Sequence, residues 1–222
     1  MTALQNAKAP AAIIFSIPSI TRSVKYMGAL QQVYTALNFC GIKIDFISEK
    51  QLYAGKGSEY MMVIFPNASN VLPGTFDAVK KLPASTRLVI VGESLSKDPY
   101  GKEYPKAELA AIRDHALCLS DADPEKVLWP QLAQELGSLG ALPEYSVVDA
   151  SSGKPIWGVE WLPAKFKGRD IINIVDLADK PFAVKILRRG NPVAARDLLS
   201  LGGRESVGSL RPATPVLAEI TQ

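Results

Sequence analysis

The sequence predicts two domains, a doubly wound α/β domain over residues 1–140 and a small antiparallel β-sandwich over residues 141–222. Up to about residue 140, apolar runs typical of buried strands alternate with stretches of helical periodicity, which indicates a parallel sheet with helical crossovers. Beyond that point, short β-rich runs recur at about ten-residue spacing, as in an antiparallel sandwich. The predicted boundary is the segment GSLGALP, residues 137–143.

The first half begins with a buried strand and a helix. AAIIFSI (residues 11–17) is continuously apolar, as expected for a strand buried on both faces. From Lys25 to Cys40, apolar residues recur at steps of three and four, and Gly41 stands where a helix C-cap would. Further strands are predicted at residues 42–47, 60–66, 87–94 and 116–120, and further helices at residues 73–82 and 123–137. This alternation predicts a parallel sheet of flavodoxin-like or Rossmann-like type.

The second half changes to the periodicity of strands. Predicted strands lie at residues 146–150, 155–162, 169–177, 181–187, 193–199 and 215–220, separated by turn residues. No stretch of this half is long and periodic enough to predict a helix.

Composition and charge exclude several classes of protein. The net charge is only +3, and the nearest approach to a basic cluster is Lys185, Arg188 and Arg189, which argues against nucleic acid as a main partner. No apolar run approaches the roughly 20 residues of a membrane span. The start, MTALQNAKAP, lacks the features of a signal peptide. The sequence predicts a soluble chain and leaves its compartment open.

Both cysteines lie in apolar segments, Cys40 in LNFCGI and Cys118 in HALCLS. An unpaired cysteine in such a segment usually behaves as a small buried hydrophobic residue. Two buried free thiols are therefore predicted in preference to a disulfide, and neither thiol is predicted to be a nucleophile.

Ligands of doubly wound sheets bind beyond the carboxyl ends of the strands. The corresponding loops are residues 16–23, 47–50, 66–70 and 92–101, and all four are polar enough to bind a ligand. None has the G-x-G-x-x-G pattern that admits a pyrophosphate. No phosphate loop, metal-ligand cluster or pair of suitably spaced carboxylates stands out, so no cofactor, no metal and no catalytic residue is predicted.

Ser94, in Gly92-Glu93-Ser94, is the one residue that resembles a hydrolase nucleophile on the turn after a strand. It lacks the second glycine of G-x-S-x-G. The only histidine of the chain, His115, precedes a predicted strand and is poorly placed to act as its base. The pair is therefore not predicted to be catalytic.

Trp157, Val159 and Trp161 alternate along one predicted strand and should point to one face. A small β domain needs large side chains to build a core, so a core role is favoured. A platform on which sugar rings stack is the alternative.

Six segments of the sequence resemble the two non-catalytic domains that follow the barrel in glycoside hydrolase family 42 (GH42) β-galactosidases. The first domain is represented by AIIFSIPS, ALQQVYTALNFCGIKIDFI, YMMVIFPNASNVLPGTFDAVKK and TRLVIVGESLSKDPYG. The second is represented by GKPIWGVEWLPAKFKGRDIINIVDLADKPFAVKIL and RDLLSLGGRESVGSLRPATPVLAEI. The resemblance spans roughly residues 11–220 and rests on the order of patterns, not on an invariant motif.

The resemblance implies a flavodoxin-like domain, similar to class I glutamine amidotransferases and known as the trimerisation domain, followed by a small C-terminal β domain. The catalytic carboxylates of the family lie on a (β/α)8 barrel of about 250 residues, which this chain does not contain. The implied role is a non-catalytic assembly region that forms a homo-oligomer, a trimer by resemblance, or that pairs with a glycosidase barrel. The alternative is a stand-alone amidotransferase-like or hydrolase-like enzyme acting at the strand ends.

Overall fold

The computed structural model describes residues 2–5, 7–200, 202 and 205–221. Leu201, Gly203 and Arg204, which belong to the last segment quoted above, lie outside the described residues.

The chain divides into two compact units. The α/β unit comprises Ala9–Leu37 and Ile44–Ala141. The β unit comprises Leu142–Gln222 together with two earlier segments, Met1–Lys8 and Asn38–Lys43. The sequence placed both earlier segments in the first domain.

The α/β unit is built on a five-stranded parallel sheet, as predicted. Its strands are β1 (Ala11–Phe15), β2 (Ile44–Ser48), β3 (Met62–Pro66), β4 (Arg87–Val91) and β5 (Leu117–Leu119). They lie in the order β2-β1-β3-β4-β5, the order of flavodoxin-like sheets. The three central strands are buried along almost their whole length, which explains their unbroken apolar sequences.

Seven helices occur among the described residues. They are α1 (Thr2–Gln5), α2 (Ile17–Arg22), α3 (Tyr26–Asn38), α4 (Glu49–Tyr53), α5 (Pro73–Val79), α6 (Lys106–Asp114) and α7 (Trp129–Ser138), with a 3-10 turn at Lys56–Glu59 and a π-helical turn at Pro124–Leu128. The predicted helices correspond to α3, to α5 and to the π-helical turn followed by α7. None of the described helices has the length and apolar character needed to cross a membrane.

The β unit contains one continuous antiparallel sheet that curls around its own core. Its strands are β6 (Tyr145–Asp149), β7 (Val159–Phe166), β8 (Arg169–Asp176), β9 (Phe182–Arg188), β10 (Asn191–Asp197), β11 (Ser209–Leu210) and β12 (Pro215–Thr221). The order is β11-β9-β10-β12-β8-β7, and β6 pairs with β9. The predicted antiparallel β domain is confirmed, whereas the strand predicted at 155–162 begins only at Val159, after a turn in which Gly158 has a φ of +96°.

The cysteine predictions are confirmed only in part. Neither thiol forms a disulfide, and Cys40 is buried as expected. Cys118 is exposed, which corrects the expectation for that residue. The reason is that β5 is a three-residue strand at the edge of the sheet, where fewer elements cover its side chains.

Gly41 satisfies two constraints that no other residue could meet together. Its φ is +72°, and its N–H bonds to the carbonyl oxygen of Asn38 at the end of α3. A Cβ at this position would lie 2.3 Å from the Cη2 and Cζ2 atoms of Trp161. Because the indole is large and itself buried, it has little room to move aside.

We expect Gly41→Ala to lower the free energy of unfolding by about 2–4 kcal/mol, since left-handed backbone strain and overpacking add together. Gly28 is the matched control. It lies inside α3 with nothing within 4 Å of a built Cβ, so Gly28→Ala should raise stability by about 0.5–1 kcal/mol. Urea unfolding monitored by tryptophan fluorescence measures both. If both substitutions changed the free energy of unfolding in the same direction, this account of Gly41 would be wrong.

Candidate functional site

The loops after β1, β2 and β3 meet around a buried carboxylate, Glu49. One of its oxygens, Oε1, accepts a hydrogen bond from Ser16 Oγ at 2.6 Å. The other, Oε2, accepts from the backbone N–H of Leu72 at 2.6 Å and from Thr75 Oγ1 at 2.7 Å. Only 3% of Glu49 is exposed. The carboxylate is therefore occupied by donors of its own domain, and it satisfies the N-terminal region of α5 in the way a helix cap does.

Asn70 ties three of the predicted ligand-binding loops to one another. Its carbonyl oxygen accepts from Ser19 Oγ at 2.6 Å and lies 3.0 Å from Ser16 Oγ. Its backbone N–H donates to Ser19 Oγ, and its side-chain Nδ2 donates to the carbonyl oxygen of Asp98. Polar groups of three loops therefore form hydrogen bonds with one another. The loops are residues 16–23, 66–70 and 92–101.

Asn67 links the carboxyl ends of β3, β4 and β5. Its Oδ1 accepts from the N–H of Glu93 at 2.8 Å, and its Nδ2 donates to Asp121 Oδ2 at 2.9 Å. Gly92 is required beside it, because a Cβ there would lie 2.2 Å from Asn67 Oδ1. Asn67 itself has a φ of +48°, a conformation that asparagine tolerates better than most residues.

Tyr26 is the largest polar side chain buried at this end of the sheet. Its hydroxyl donates to the carbonyl oxygen of Ile14 at 2.7 Å and accepts from the N–H of Ser16 at 2.9 Å. Burial raises the pKa of Tyr26 to about 12. The phenol therefore stays protonated at neutral pH and fixes the turn after β1.

Ser94 and His115 are not brought together. Ser94 is fully buried, and its Oγ accepts from the N–H of Ala68 at 2.9 Å and lies 3.0 Å from the carbonyl oxygen of Phe65. It follows the carboxyl end of β4, whereas His115 is exposed and precedes the amino end of β5. Since β4 and β5 are parallel, the two side chains lie at opposite ends of the sheet.

The part of the chain that the structure describes contains no group of three or more His, Cys, Asp or Glu side chains placed to hold a metal ion. The carboxyl end of the sheet consists instead of paired hydroxyls, amides and carboxylates. Such an arrangement holds the loops in place.

A cavity of about 590 Å³ lies at the other end of the sheet, beside the start of β4. Apolar side chains form most of its lining, including Val79, Leu82 and Ile112. Two ion pairs lie at the cavity: Lys80 with Glu108 at 2.8 Å and Arg87 with Glu135 at 2.6 Å. This cavity of the α/β unit is therefore remote from the polar loops that follow the strands, where ligands were expected from the sequence.

The two tryptophans of the predicted sugar platform have different environments. Trp161 is 6% exposed and packs in the core of the β unit with Val159 and Ile174. Trp157 lies in the turn before β7, is half-buried, and makes an edge-to-face contact with Phe39, with ring centroids 4.8 Å apart. The two indoles do not alternate along one strand, because Gly158 and the turn intervene.

No protein-family profile and no curated protein matches the sequence. Solved structures do match its fold. A GH42 exo-carrageenase from Bacteroides ovatus matches with a TM-score of 0.73 at 19% identity, over 98% of this chain and 30% of that one. A catalytic mutant of Gan42B, a GH42 β-galactosidase from G. stearothermophilus, gives a TM-score of 0.68 at 15% identity, over 98% and 41%. A β-galactosidase from Bacillus circulans sp. alkalophilus gives 0.64 at 15%, over 97% and 42%.

The chain spans between about a third and two fifths of the length of these three relatives. The match extends over both the α/β unit and the β unit, since nearly the whole chain is covered. The resemblance predicted from the sequence is confirmed at the level of the fold. This chain shares the fold of one region of the GH42 glycoside hydrolases.

Proposed function

We propose that the chain is a non-catalytic accessory region of a glycoside hydrolase, β-galactosidase-like in architecture, whose α/β unit serves assembly. The observation that carries the non-catalytic role is the closed network at the carboxyl end of the parallel sheet. Glu49 accepts three hydrogen bonds from its own domain, and Ser94 is fully buried. A catalytic group in this type of sheet would need to face the ligand side of the strand ends.

An exposed apolar surface supports the assembly role. Five apolar side chains on the paired strands β1 and β2 and on helices α2 and α3 are between 37% and 60% exposed, and we take them together as the candidate surface: Phe15, Ile17, Met27, Tyr34 and Phe46. The rings of Tyr34 on α3 and Phe46 on β2 are 5.5 Å apart. Strand β2 is also an edge of the sheet, so within the described part of the chain no strand pairs with its outer backbone groups. Apolar surface of this kind typically marks an interface with another protein.

Light scattering of the full chain at about 100 μM, well above micromolar affinity, tests the assembly role. We expect a symmetric homo-oligomer, a trimer if the GH42 resemblance holds, and a shift to monomer in Met27→Glu/Phe46→Glu. Tyr100→Glu is the control, because Tyr100 is 88% exposed and lies outside this surface. A monomeric mass for the unchanged chain would refute assembly through the α/β unit.

The same preparation should fail to hydrolyse chromogenic galactosides, glucosides and arabinosides. Glycoside hydrolysis requires two carboxyl groups about 5–10 Å apart across the sugar. Turnover that disappears on replacing a single Asp or Glu would instead establish an enzyme.

A further inference from the structure

A tight hairpin turn projects from one end of the β unit. Lys167 and Gly168 have φ values of +49° and +78°, and the flanking Phe166 and Arg169 are directly paired across the two strands. Two consecutive residues with positive φ are typical of a type I′ turn, which matches the twist of the strands it joins. The hairpin therefore presents Lys165, Phe166, Lys167 and Arg169, all exposed, at a defined position.

A buried carboxylate holds two arginines beside this turn. Glu219, 4% exposed, accepts from Arg169 Nη1 at 2.8 Å and from Arg196 Nε at 2.6 Å. Hydrogen bonds from Arg196 and Arg169 lower the pKa of Glu219, so the carboxylate stays ionised. A guanidinium has five N–H donors, and these contacts use only some of them. The arginine side chains are 67% and 44% exposed, so the remaining donors are available to a ligand.

A second pair of arginines lies at the same end. Arg188 and Arg189 share Glu144, with N to O distances of 3.2 and 3.3 Å. Arg188 also lies over the ring of Tyr145, whose hydroxyl donates to Asp170 at 2.8 Å. Asp170 is the second residue of β8, beside the hairpin turn, so the contacts connect the two arginine pairs.

We define the basic end by its six cationic side chains: Lys165, Lys167, Arg169, Arg188, Arg189 and Arg196. The carboxylates paired with them in the described residues are Glu144, Asp170 and Glu219. The excess of three positive charges equals the net charge of the whole chain, +3. These six residues are dispersed along the sequence because they come from four different strands and the adjoining turns.

We propose that the basic end binds an anionic polysaccharide, with Phe166 as an apolar platform for a sugar ring. In the basic end, cationic side chains alternate with carboxylates, and this pattern favours an anionic polysaccharide. A polysaccharide spaces its charged groups by whole sugar rings, so it can contact the guanidiniums and avoid the carboxylates between them. Duplex DNA carries a charge about every 1.7 Å along its axis and would meet those carboxylates.

A membrane surface fits the basic end less well. Peripheral helices enter the interface with several apolar side chains, and the hairpin offers a single exposed aromatic ring. Polysaccharide binding would be a function of the β unit, and it stands whether or not the α/β unit serves assembly.

Dextran sulfate of low substitution, with at most one sulfate on each sugar ring, and dextran provide a matched pair of probes, because they share a backbone and differ in charge. By interferometry with the full chain, we expect binding to dextran sulfate that weakens from about 50 to 200 mM salt, and none to dextran. Equal or tighter binding of duplex DNA or of phosphatidylserine vesicles would overturn the choice of partner, and no binding of dextran sulfate would overturn the site.

Lys165→Ser/Lys167→Asn should weaken dextran sulfate binding about tenfold, as expected for two exposed ion pairs of up to about 1 kcal/mol each. Asparagine is chosen because it tolerates positive φ. Lys154→Ser/Lys180→Ser removes the same charge beside the opposite ends of β6 and β9, and it should leave binding unchanged. Equal losses in the two variants would mean that net charge alone is responsible.

A footprint on the unmutated chain removes any dependence on how the variants fold. Dextran sulfate should protect Lys165 and Lys167 from acetylation and leave Lys154 and Lys180 reactive. Uniform protection, or none, would refute the assignment of the basic end.

Discussion

Replacing Glu49 with Ala should lower the free energy of unfolding of the α/β unit by about 3–5 kcal/mol. The variant leaves the N–H of Leu72 and the hydroxyl of Thr75 without the carboxylate that accepts from them. Each buried donor left unsatisfied costs about 1–3 kcal/mol. The loss of packing around a side chain that is 3% exposed adds to this cost.

Urea unfolding measures the loss, and amide hydrogen exchange at Leu72 shows where it arises. Glu49→Gln keeps the size of the side chain but replaces one acceptor with an amide donor, so it should cost less than the alanine variant. Glu103→Ala is the control, because Glu103 is exposed and should change stability by no more than about 0.5 kcal/mol. If Leu72 exchanges at the same rate in all variants, Glu49 does not hold the loops.

Trp161→Ala should cost about 3–5 kcal/mol in the β unit, the range for removing a large aromatic residue from a core. Its ring packs among core residues and fills the space that Gly41 leaves. Trp157 is only half-buried, so Trp157→Ala should cost less, although the sequence suggested equal roles. Thermal and urea unfolding of the two variants side by side give the comparison.

Tryptophan fluorescence emission shows whether Trp157 and Trp161 belong to a core or to a sugar-binding platform. Galactose or neutral oligosaccharides should leave the emission of the unchanged chain as it is, because Trp161 is buried and the half-buried Trp157 packs against Phe39. A saturable shift that disappears in Trp157→Ala would make Trp157 a sugar-binding residue. A shift that survives in that variant would have to come from another tryptophan.

Long apolar runs made the parallel sheet predictable from the sequence. The sequence of β3, MVIFP, is continuously apolar, and a strand buried on both faces explains such a run in a chain of average composition. The short helices were missed for a different reason. Helix α4 has five residues, too few to show periodicity, and its signal was the capping box of Ser48 and Gln51.

The closed network could not be predicted, because it depends on side chains that only the fold brings together. Loop 47–50 was recognised as polar, but nothing in ISEK distinguishes a solvated Glu49 from one that accepts hydrogen bonds from Ser16 and Thr75. The prediction for Cys118 was wrong for a different reason. Its apolar neighbours predicted burial, whereas the position of β5 at the sheet edge determined its exposure.

The grouping of Asn38–Lys43 with the β unit has a consequence for how the chain folds as it is synthesised. Phe39 and Trp157 are more than one hundred residues apart in sequence, so their contact cannot form until most of the chain has left the ribosome. Contacts of such high sequence separation form slowly, because a long loop must close first. The β unit is therefore expected to mature last, and a truncated chain starting at Leu142 would lack the backbone that covers the ring of Trp161.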